Sequence, residues 1–195
     1  MSAWLMAQRS VPKDGERANG DAVVLRREDD RALVAVIDGL GHGEAAALAS
    51  GRAADYLMAM ALTDELETGM HGMHEALRGT RGAAATVCLL HGATVVCCGV
   101  GNVEIRCFGG KLPILLSPGV LGARVQKFRI CQTELTVDSR LVLFSDGISH
   151  RSPFEAMRNL NVEDLCDAVI RQHRKPSDDA TVVVVRPEPR PEVAA

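Results

Sequence analysis

The sequence predicts an α+β fold in which antiparallel sheets are covered by helices. Three observations support this: short strand-forming runs follow one another in meander order, turn residues separate them, and few segments have helical periodicity. The turns are marked by Asp-Asp, His-Gly, Gly-Gly and Ser-Pro-Gly sequences. The predicted strands are Ala22–Arg26, Leu33–Ile37, Ala84–Leu90, Thr94–Val100, Val103–Phe108, Lys111–Leu115, Val125–Ile130, Arg140–Phe144 and Ala180–Val185.

Two segments are predicted as helices because their apolar side chains recur at intervals of three and four. The first, Glu44–Leu62, is rich in Ala and Leu, and the second, Val162–Arg174, has basic residues in its last turn. A third, shorter helix is predicted from about Glu65 to Arg78, with a weaker pattern because Gly69 and Gly72 interrupt it. The sheet-facing side of the first helix is predicted to carry Ala45, Leu48, Ala49, Arg52, Ala53, Tyr56 and Met60.

Length and charge restrict the domain count and the partners. The 195 residues suffice for a single domain, predicted over residues 1–186, followed by a Pro-rich flexible tail over 187–195. The 22 Lys and Arg against 25 Asp and Glu give a net charge of −3 with no long run of either sign. Aromatic residues make up only 3% of the chain, which argues against a base-stacking platform. We therefore expect no nucleic-acid partner.

Three sequence features indicate the cellular compartment: the N-terminus, one uncharged stretch and the cysteines. The first residues, MSAWLMAQRS, lack the basic start and apolar run of a secretory signal. Residues 82–103 carry no Asp, Glu, Lys or Arg, but their glycines favour two strands joined at His91-Gly92 over a membrane span. The six cysteines form no C-x-x-C pair and are predicted to be buried, reduced thiols. We expect a cytoplasmic protein with no membrane partner.

Aspartates stand where three apolar runs begin or end. Asp38 and Asp146 follow LVAVI and RLVLFS, whereas Asp178 and Asp179 precede ATVVVV. A single Asp at such a place is an ordinary turn residue. If the third strand runs antiparallel to the other two, however, all four carboxylates meet at one edge.

A fifth aspartate joins this group through strand pairing. A hairpin around Asp29-Asp30 places Asp21 directly opposite Asp38, because 21 + 38 equals 29 + 30. Opposed side chains have Cβ atoms roughly 4.5–5.5 Å apart, and like charges there are destabilising. No lysine neighbours these aspartates, so a divalent cation is the economical compensation. Carboxylate oxygens favour Mg²⁺ or Mn²⁺ over Zn²⁺.

The segment after Asp38 favours an anionic ligand. Gly39, Gly41 and Gly43 leave the backbone unobstructed, so that carbonyls can face a cation and amides an anion. The predicted helix beginning near Glu44 places its positive end beside the same point. Carboxylates, metal ions and a helix N-terminus together suit a phosphate ester.

Six motifs in order identify a family resemblance. They are NGD (19–21), DGLGHG (38–43), RGAAAT (81–86), VGN (100–102), SDG (145–147) and DDAT (178–181). In these motifs the chain resembles the metal-dependent type 2C serine/threonine protein phosphatases over residues 14–186. It is most similar to their bacterial branch of SpoIIE, RsbU and RsbX, and within it to RsbX-like members, because it leaves no room for N-terminal sensory or membrane regions. The resemblance implies an α/β/β/α sandwich of two antiparallel sheets flanked by helices.

The resemblance implies two Mn²⁺ or Mg²⁺ ions per active site, bridged by Asp38. The Gly39 carbonyl would bind the first ion, and Asp21 would bind near it directly or through water. His42 is a candidate catalytic proton donor because it follows Asp38 closely and imidazole titrates near neutral pH. A structural hydrogen bond to backbone at the helix start is the alternative for His42. Arg17 is the positional match for the substrate-binding arginine of eukaryotic members.

The second ion of the implied pair has its own ligands. Asp146 and Asp178 would bind it, and Asp179 is the alternative to Asp178 in the final motif. Asn102 stands where many relatives have an acidic residue that holds an extra metal. A third ion is therefore not expected.

The implied activity is hydrolysis of phosphoserine and phosphothreonine by metal-activated water. RsbX-like members act on phosphorylated RsbR and RsbS proteins of the stressosome, a signalling assembly of the stress response. Such scaffold proteins are therefore the expected partners, and a monomer is the expected state. Two alternatives stay open: a catalytically silent module of the same fold that binds and regulates a phosphoprotein, and a metal-dependent phosphodiesterase or nuclease, which the lack of a basic face disfavours.

Overall fold

The computed structural model describes residues 4–62 and 65–188. In chain order its strands are β1 (Trp4–Val11), β2 (Asp21–Glu28), β3 (Arg31–Gly39), β4 (Ala83–His91), β5 (Thr94–Val100), β6 (Glu104–Phe108), β7 (Gly119–Val120), β8 (Arg124–Val125), β9 (Cys131–Glu134), β10 (Arg140–Phe144) and β11 (Ala180–Pro187). Its helices are α1 (Glu44–Ala59), α2 (Leu66–Ala76) and α3 (Val162–His173), with a short 3₁₀ helix at Phe154–Met157.

The strands form two main antiparallel sheets. Sheet A has the strand order β1-β11-β10-β6, sheet B has the order β2-β3-β4-β5-β9, and β7 and β8 form a small ribbon. Apolar side chains of α1 and α2 pack on one face of sheet B, and those of α3 pack on one face of sheet A. The remaining faces of the two sheets pack against each other and form the central core. The predicted α/β/β/α sandwich is confirmed.

Strands β3 and β4 are covered on both faces, which explains their continuous apolar sequences. Residues 32–37 and 83–90 are all buried. Leu33, Ala35 and Ile37 face the helices, whereas Val34 and Val36 face sheet A. A strand with one face in water would alternate apolar and polar residues instead. This buried strand ends at the aspartate that the sequence singles out, so Asp38 lies where the core meets the surface.

The β2–β3 hairpin has the predicted register. Asp21 lies directly opposite Asp38, and the pairing continues to Glu28 and Arg31. The turn contains Asp29 with a positive φ of 52°, a conformation that Asp tolerates better than most residues. The opposition of two carboxylates, inferred from residue numbers alone, is confirmed.

Two of the predicted strands are wrong, and three strands of the described residues, β1, β7 and β9, lie outside the predicted set. Lys111–Leu115 has no regular secondary structure, and Val125–Ile130 contributes only Val125 to a strand. The edge strand of sheet B is Cys131–Glu134, which pairs with β5. The longest of the three is β1, which pairs along its whole length with β11 at the other end of the chain. No hairpin turn marks such a pairing in the sequence.

Helix α1 has a different buried face from the predicted one. Its buried residues are Ala46, Ala49, Ser50, Ala53 and Leu57. Leu48, predicted to face a sheet, is 57% exposed. The helix is so rich in alanine that its faces differ little in hydrophobicity, and the sequence pattern therefore defines the buried stripe poorly.

The remaining predictions concern the tail, the thiols and the membrane. Strand β11 continues through Pro187, and residues 189–195 of the predicted tail lie outside the described residues. All six cysteines are free, and all except the half-buried Cys107 are buried. No helix within residues 4–62 and 65–188 is both long and apolar enough to cross a membrane.

Candidate functional site

Five aspartates lie at one end of the sandwich. In sheet B, Asp21 begins β2 and is paired with Asp38, near the end of β3. In sheet A, Asp146 follows β10, while Asp178 and Asp179 precede β11, the antiparallel neighbour of β10. Hydrogen bonds join the two pairs of strand ends: Ser145 donates to Asp21, and the Gly20 amide donates to Asp179. The structure therefore brings together the five carboxylates that the sequence predicts.

A hydrogen-bond network joins the two sheets at this point. Ser145 Oγ donates to Asp21 Oδ2 at 2.6 Å and accepts from the Thr181 amide at 3.0 Å. Asn19 Oδ1 accepts from the Asp21 amide at 3.0 Å, while Asn19 Nδ2 donates to Ser10 Oγ, which in turn shares a hydrogen bond with Thr181 Oγ1. Burial raises the pKa of Asp21 to about 6, although hydrogen bonds from Ser145 and Thr181 lower it. The network holds one carboxylate of the cleft in a fixed place.

Asp38 is the most strongly perturbed group of the cleft. Burial first, and then the negative charges of Asp21, Asp146, Asp178 and Asp179, raise the pKa of Asp38 to about 8. Its carboxylate accepts no hydrogen bond and forms no ion pair with any residue that the structure describes. A half-buried carboxylate among four others, with no donor of its own, is a position that a cation would stabilise.

Asp178 and Asp179 have different surroundings although they are adjacent. Asp179 is 3% exposed, and its two oxygens accept hydrogen bonds from the Lys13 amide at 2.9 Å and the Gly20 amide at 3.0 Å. Asp178 is half-buried and accepts one bond, from the Asp179 amide at 3.0 Å. Burial, and then the charge of Asp146, raise the pKa of Asp178. Asp179 thus holds the loop before β2, whereas Asp178 retains oxygens for a ligand.

Two glycines allow the backbone segments of the cleft to approach closely. A Cβ at Gly39 would lie 2.1 Å from the Ala46 carbonyl oxygen of α1, and a Cβ at Gly147 would lie 1.9 Å from the Asp179 carbonyl oxygen. Neither position can accept a side chain without moving a backbone segment. Gly41 adopts a positive φ of 91°, a backbone conformation that glycine adopts more readily than other residues. The glycines after Asp38 therefore bring α1 against the end of β3.

Polar side chains from three loops surround the carboxylates. Asn102 Nδ2 donates to Asp146 Oδ2 at 2.5 Å. Lys175 Nζ donates to the Asp146 carbonyl oxygen, so the expectation that no lysine neighbours the aspartates is wrong. The guanidinium of Arg81 lies beside the loop after β3, because a Cβ added at Gly41 would be 3.0 Å from Arg81 Nη1. Lys175 was missed because it precedes the aspartate run on a turn with no strand signal of its own.

His42 and Arg17 lie on the loops near the cleft, apart from the carboxylates. His42 Nδ1 is 2.9 Å from Glu16 Oε1, and the His42 side chain is 51% exposed. Its partner is thus a carboxylate rather than the backbone group of the structural alternative. Arg17 is exposed and makes no hydrogen bond or ion pair within the described part of the chain. The catalytic role of His42 and the substrate-binding role of Arg17 stay predictions.

The donor set of the cleft fits Mg²⁺ or Mn²⁺. Its side-chain donors are carboxylate oxygens, and Cys and His do not contribute, which matches hard divalent cations. Within residues 4–62 and 65–188, no three His, Cys, Asp or Glu side chains already enclose a common point at ligand distance. Mg²⁺ is commonly bound through one or two carboxylates while it keeps several waters. The opposed, mutually repelling aspartates therefore fit ions with incomplete protein coordination.

The chain matches the family model of Stage II sporulation protein E (SpoIIE) over residues 28–188. It is similar to the phosphoserine phosphatase RsbX of Bacillus subtilis (strain 168), with 24% identity over 181 residues, which cover 88% of this chain and 89% of the relative. The chain therefore spans nearly the whole length of that phosphatase.

Solved structures have the same fold. RsbX in complex with magnesium matches with a TM-score of 0.85 and 22% identity, over 96% of this chain and 100% of the other. A chain from work on the bacterial stressosome, a modular system adapted to control secondary messenger signaling, matches with a TM-score of 0.87 and 28% identity, over 94% and 100%. The catalytic domain of the phosphatase PstP in complex with 2 manganese ions matches with a TM-score of 0.77 and 19% identity, over 97% and 100%. Since the family model covers most of the chain, the chain belongs to the SpoIIE family of type 2C serine/threonine protein phosphatases.

Proposed function

We propose that this chain is a Mn²⁺- or Mg²⁺-dependent phosphatase that removes phosphate from phosphoserine and phosphothreonine of stressosome scaffold proteins. The observation that carries the proposal is the half-buried carboxylate of Asp38, which lies among four other aspartates and has no hydrogen-bond donor or ion-pair partner in the described residues. Similarity to magnesium-bound RsbX and manganese-bound PstP supports the metals. Similarity to the phosphoserine phosphatase RsbX and to a stressosome chain supports RsbR- and RsbS-like partners.

The proposed ligands divide between two ions. Asp38 is the shared ligand, with the Gly39 carbonyl and Asp21 on the side of sheet B and with Asp146 and Asp178 on the side of sheet A. Bound there, two divalent ions supply an activated water and neutralise charge on the phosphoryl oxygens. The chain's own contribution is to hold five oxygen donors from two sheets close together before any ion is bound.

Other residues act on the substrate in this proposal. The N-terminus of α1 supplies backbone amides and a positive dipole end to the phosphate. Arg17 binds the phosphate from the loop before β2, and Arg81 stands against Gly41 on the other side. His42, whose Nδ1 is paired with Glu16, donates a proton to the departing serine or threonine oxygen.

The test uses a phosphorylated RsbR- or RsbS-like scaffold protein and intact-mass measurement. With Mn²⁺ present we expect a loss of about 80 Da per phosphosite, the mass of one phosphoryl group. With EDTA we expect no loss of mass, because no divalent ion is free to bind. With Asp38→Asn we also expect no loss, because the shared ligand of the two ions is changed. Asp55→Asn, which removes the same charge from an exposed position of α1, is the matched control and should retain activity.

Each alternative has its own outcome in this experiment. If the chain bound the phosphorylated scaffold but released no phosphate with either Mn²⁺ or Mg²⁺ present, it would be a silent regulatory module instead. Cleavage of a nucleic acid with the same metal dependence would establish a nuclease or phosphodiesterase. Release of phosphate by Asp38→Asn at the wild-type rate would contradict the proposed metal site.

We further propose that the phosphatase acts as a monomer in the cytoplasm. Six free thiols support a reducing compartment. Sedimentation equilibrium at micromolar concentration tests the oligomeric state, and a dimer mass there would contradict the proposal.

A further inference from the structure

A second charged site lies at the end of sheet A remote from the aspartates. A pocket of about 430 Å³ opens there, and its lining includes three arginines, Arg140, Arg158 and Arg186. Arg140 is the first residue of β10, whereas Asp146 follows the end of the same strand. The pocket and the acidic cleft are therefore separated by the full length of β10, and neither proposal depends on the other.

Two of these arginines are opposed across neighbouring strands. Leu141 pairs with Val185 between β10 and β11, so the next position outward places Arg140 opposite Arg186. Both lie on the face that carries Val142 and Val184, the face that packs against α3, because side chains alternate along a strand. Like charges at directly opposed positions destabilise a sheet. The arrangement is the cationic counterpart of the Asp21–Asp38 pair.

Neither opposed arginine forms an ion pair with a described residue. The pocket lining also contains the carboxylates of Asp138 and Glu155, but neither lies within 4.0 Å of Arg140 or Arg186. Glu155 is 3.7 Å from the third arginine, Arg158. Three arginines against two carboxylates leave the pocket lining with a net positive charge, and the two opposed guanidinium groups have no carboxylate in direct contact.

The two guanidinium groups line one pocket and keep donors that no described residue uses. Arg140 donates one N–H to the Leu160 carbonyl oxygen, which anchors its guanidinium and leaves its other N–H groups available. Burial, and then the charge of Arg186, lower the pKa of Arg140. Arg186 donates to no residue in the part of the chain that the structure describes. Two forked donors side by side match a tetrahedral dianion, whereas a single carboxylate would leave one positive charge uncompensated.

We propose that Arg140 and Arg186 form a phosphate-binding site. The phosphate can come from two sources, free inorganic phosphate or a phosphorylated side chain of a protein partner, and both present the same oxygens to the guanidinium groups.

The first test is a titration of metal-free full-length protein, in EDTA, with inorganic phosphate at constant ionic strength. The arginine Nε–H signals of Arg140 and Arg186 should shift in NMR spectra, and Arg186→Gln should weaken phosphate binding about tenfold or more. Arg171→Gln, which removes the same charge from an exposed position of α3, is the matched control and should bind phosphate like the wild type. The same titration with a phosphoserine peptide and with its unphosphorylated form distinguishes the two sources.

Thermal unfolding is a second measurement, and it distinguishes a phosphate-binding role of Arg186 from a purely structural one. Without phosphate, Arg186→Gln should melt at a higher temperature than the wild type, because it removes the repulsion. Excess phosphate should raise the melting temperature of the wild type and of Arg171→Gln, but not of Arg186→Gln. The proposal is overturned if neither phosphate source binds in an Arg186-dependent way, or if Arg186→Gln melts lower without phosphate. The metal-dependent phosphatase rate on a small phosphate ester should be unchanged in Arg186→Gln.

Discussion

The five aspartates of the cleft differ in how many of their oxygens the protein already uses. Asp179 accepts two backbone amides, and Asp21 accepts a buried hydroxyl. Asp38 accepts nothing from the described residues, and Asp178 accepts a single amide. A carboxylate whose lone pairs are taken by backbone donors stabilises the fold, whereas one without donors is available to a ligand. The chemistry of the site is therefore assigned to individual residues by their hydrogen bonds rather than by their position in the sequence.

Asp178 and Asp179 provide a prediction at this scale. Asp179→Asn leaves one of the two buried amides without an acceptor, so the metal-free protein should lose about 1–3 kcal/mol of stability. Asp178→Asn keeps the carbonyl oxygen that the neighbouring amide needs and removes a repelled charge. Its metal-free melting temperature should be equal to or above that of the wild type, while its affinity for Mg²⁺ should fall by about tenfold or more. Thermal unfolding in EDTA and calorimetric Mg²⁺ titration measure the two effects.

The opposite pattern would reverse the assignment of the two residues. If Asp179→Asn kept its stability and lost metal affinity, Asp179 would be the ligand and Asp178 the structural residue. Asp167→Asn is the control. Asp167 is an exposed residue of α3 that pairs with Arg9 outside the cleft, so this variant gives the background effect of replacing Asp by Asn.

Sequence reasoning identifies all five aspartates but not the contacts between the two sheets that hold them. Asp21 could be placed because a hairpin register follows from residue numbers, and the pairing with Asp38 agrees with it. Ser145 lies inside the motif SDG, yet its bond to Asp21 crosses from one sheet to the other. Contacts between sheets depend on how the two layers pack, which a local pattern does not contain. For the same reason, the sequence does not predict the hydrogen bond from the Lys13 amide to Asp179.

At the scale of elements, close backbone packing positions the cleft. The loop after β10 approaches the start of β11 so closely that a Cβ at Gly147 would lie 1.9 Å from the Asp179 carbonyl oxygen. Gly147→Ala should therefore move the segment that carries the carboxylates and destabilise the protein by about 1–3 kcal/mol, the usual cost of overpacking. Metal-dependent phosphatase activity should fall with it.

The matched control for this glycine lies in a helix. A Cβ at Gly51 of α1 would meet no atom within 4 Å. Gly51→Ala should stabilise the protein by about 0.5–1 kcal/mol, because alanine favours the helix and glycine does not. Urea unfolding of both variants checks the pair. Equal effects of the two substitutions would mean that close packing at the cleft has no special role.

Elements formed by sequence neighbours were easier to predict than elements with distant partners. The hairpins β2–β3 and β4–β5 have local turns, and their predicted strands are present: β5 has the predicted bounds, and the other three strands are longer than predicted. β1 has its partner at the opposite end of the chain and was not found. Lys111–Leu115 has strand-forming residues, but no described strand pairs with its backbone, so it stays irregular. A strand exists only where another strand supplies its hydrogen bonds, and residue type alone does not show this.

The whole molecule carries like-charge pairs at opposite ends of its two sheets. Asp21 and Asp38 are opposed at one end of sheet B, and Arg140 and Arg186 are opposed at the far end of sheet A. Neither pair contributes favourably to folding in the absence of a counter-ion. The burial of β3, β4, β10 and β11 offsets both costs, because these strands form the central core. The sandwich thus provides the stability, and its strand ends provide the charged sites.

The acidic end makes the stability of the metal-free protein depend on pH. The folded chain raises the pKa of Asp21 to about 6 and that of Asp38 to about 8, and it also raises the pKa of Asp178. Between about pH 4 and pH 8 the folded state therefore binds more protons than the unfolded state, so stability falls as pH rises through this range. A divalent cation in the proposed site would bind the deprotonated carboxylates and would therefore compete with the protons.

Melting temperatures in EDTA should accordingly decrease from about pH 5 to pH 8, while the increase caused by excess Mg²⁺ should become larger over the same range. Asp38→Asn should flatten the upper part of the metal-free curve, because the group with the highest pKa is then absent. It should also remove most of the Mg²⁺ effect at pH 8. Differential scanning fluorimetry at several pH values, with EDTA or Mg²⁺, measures both curves. A Mg²⁺ effect that is the same at every pH would show that the ion does not compete with protons for these carboxylates, and the acidic cleft would not be its site.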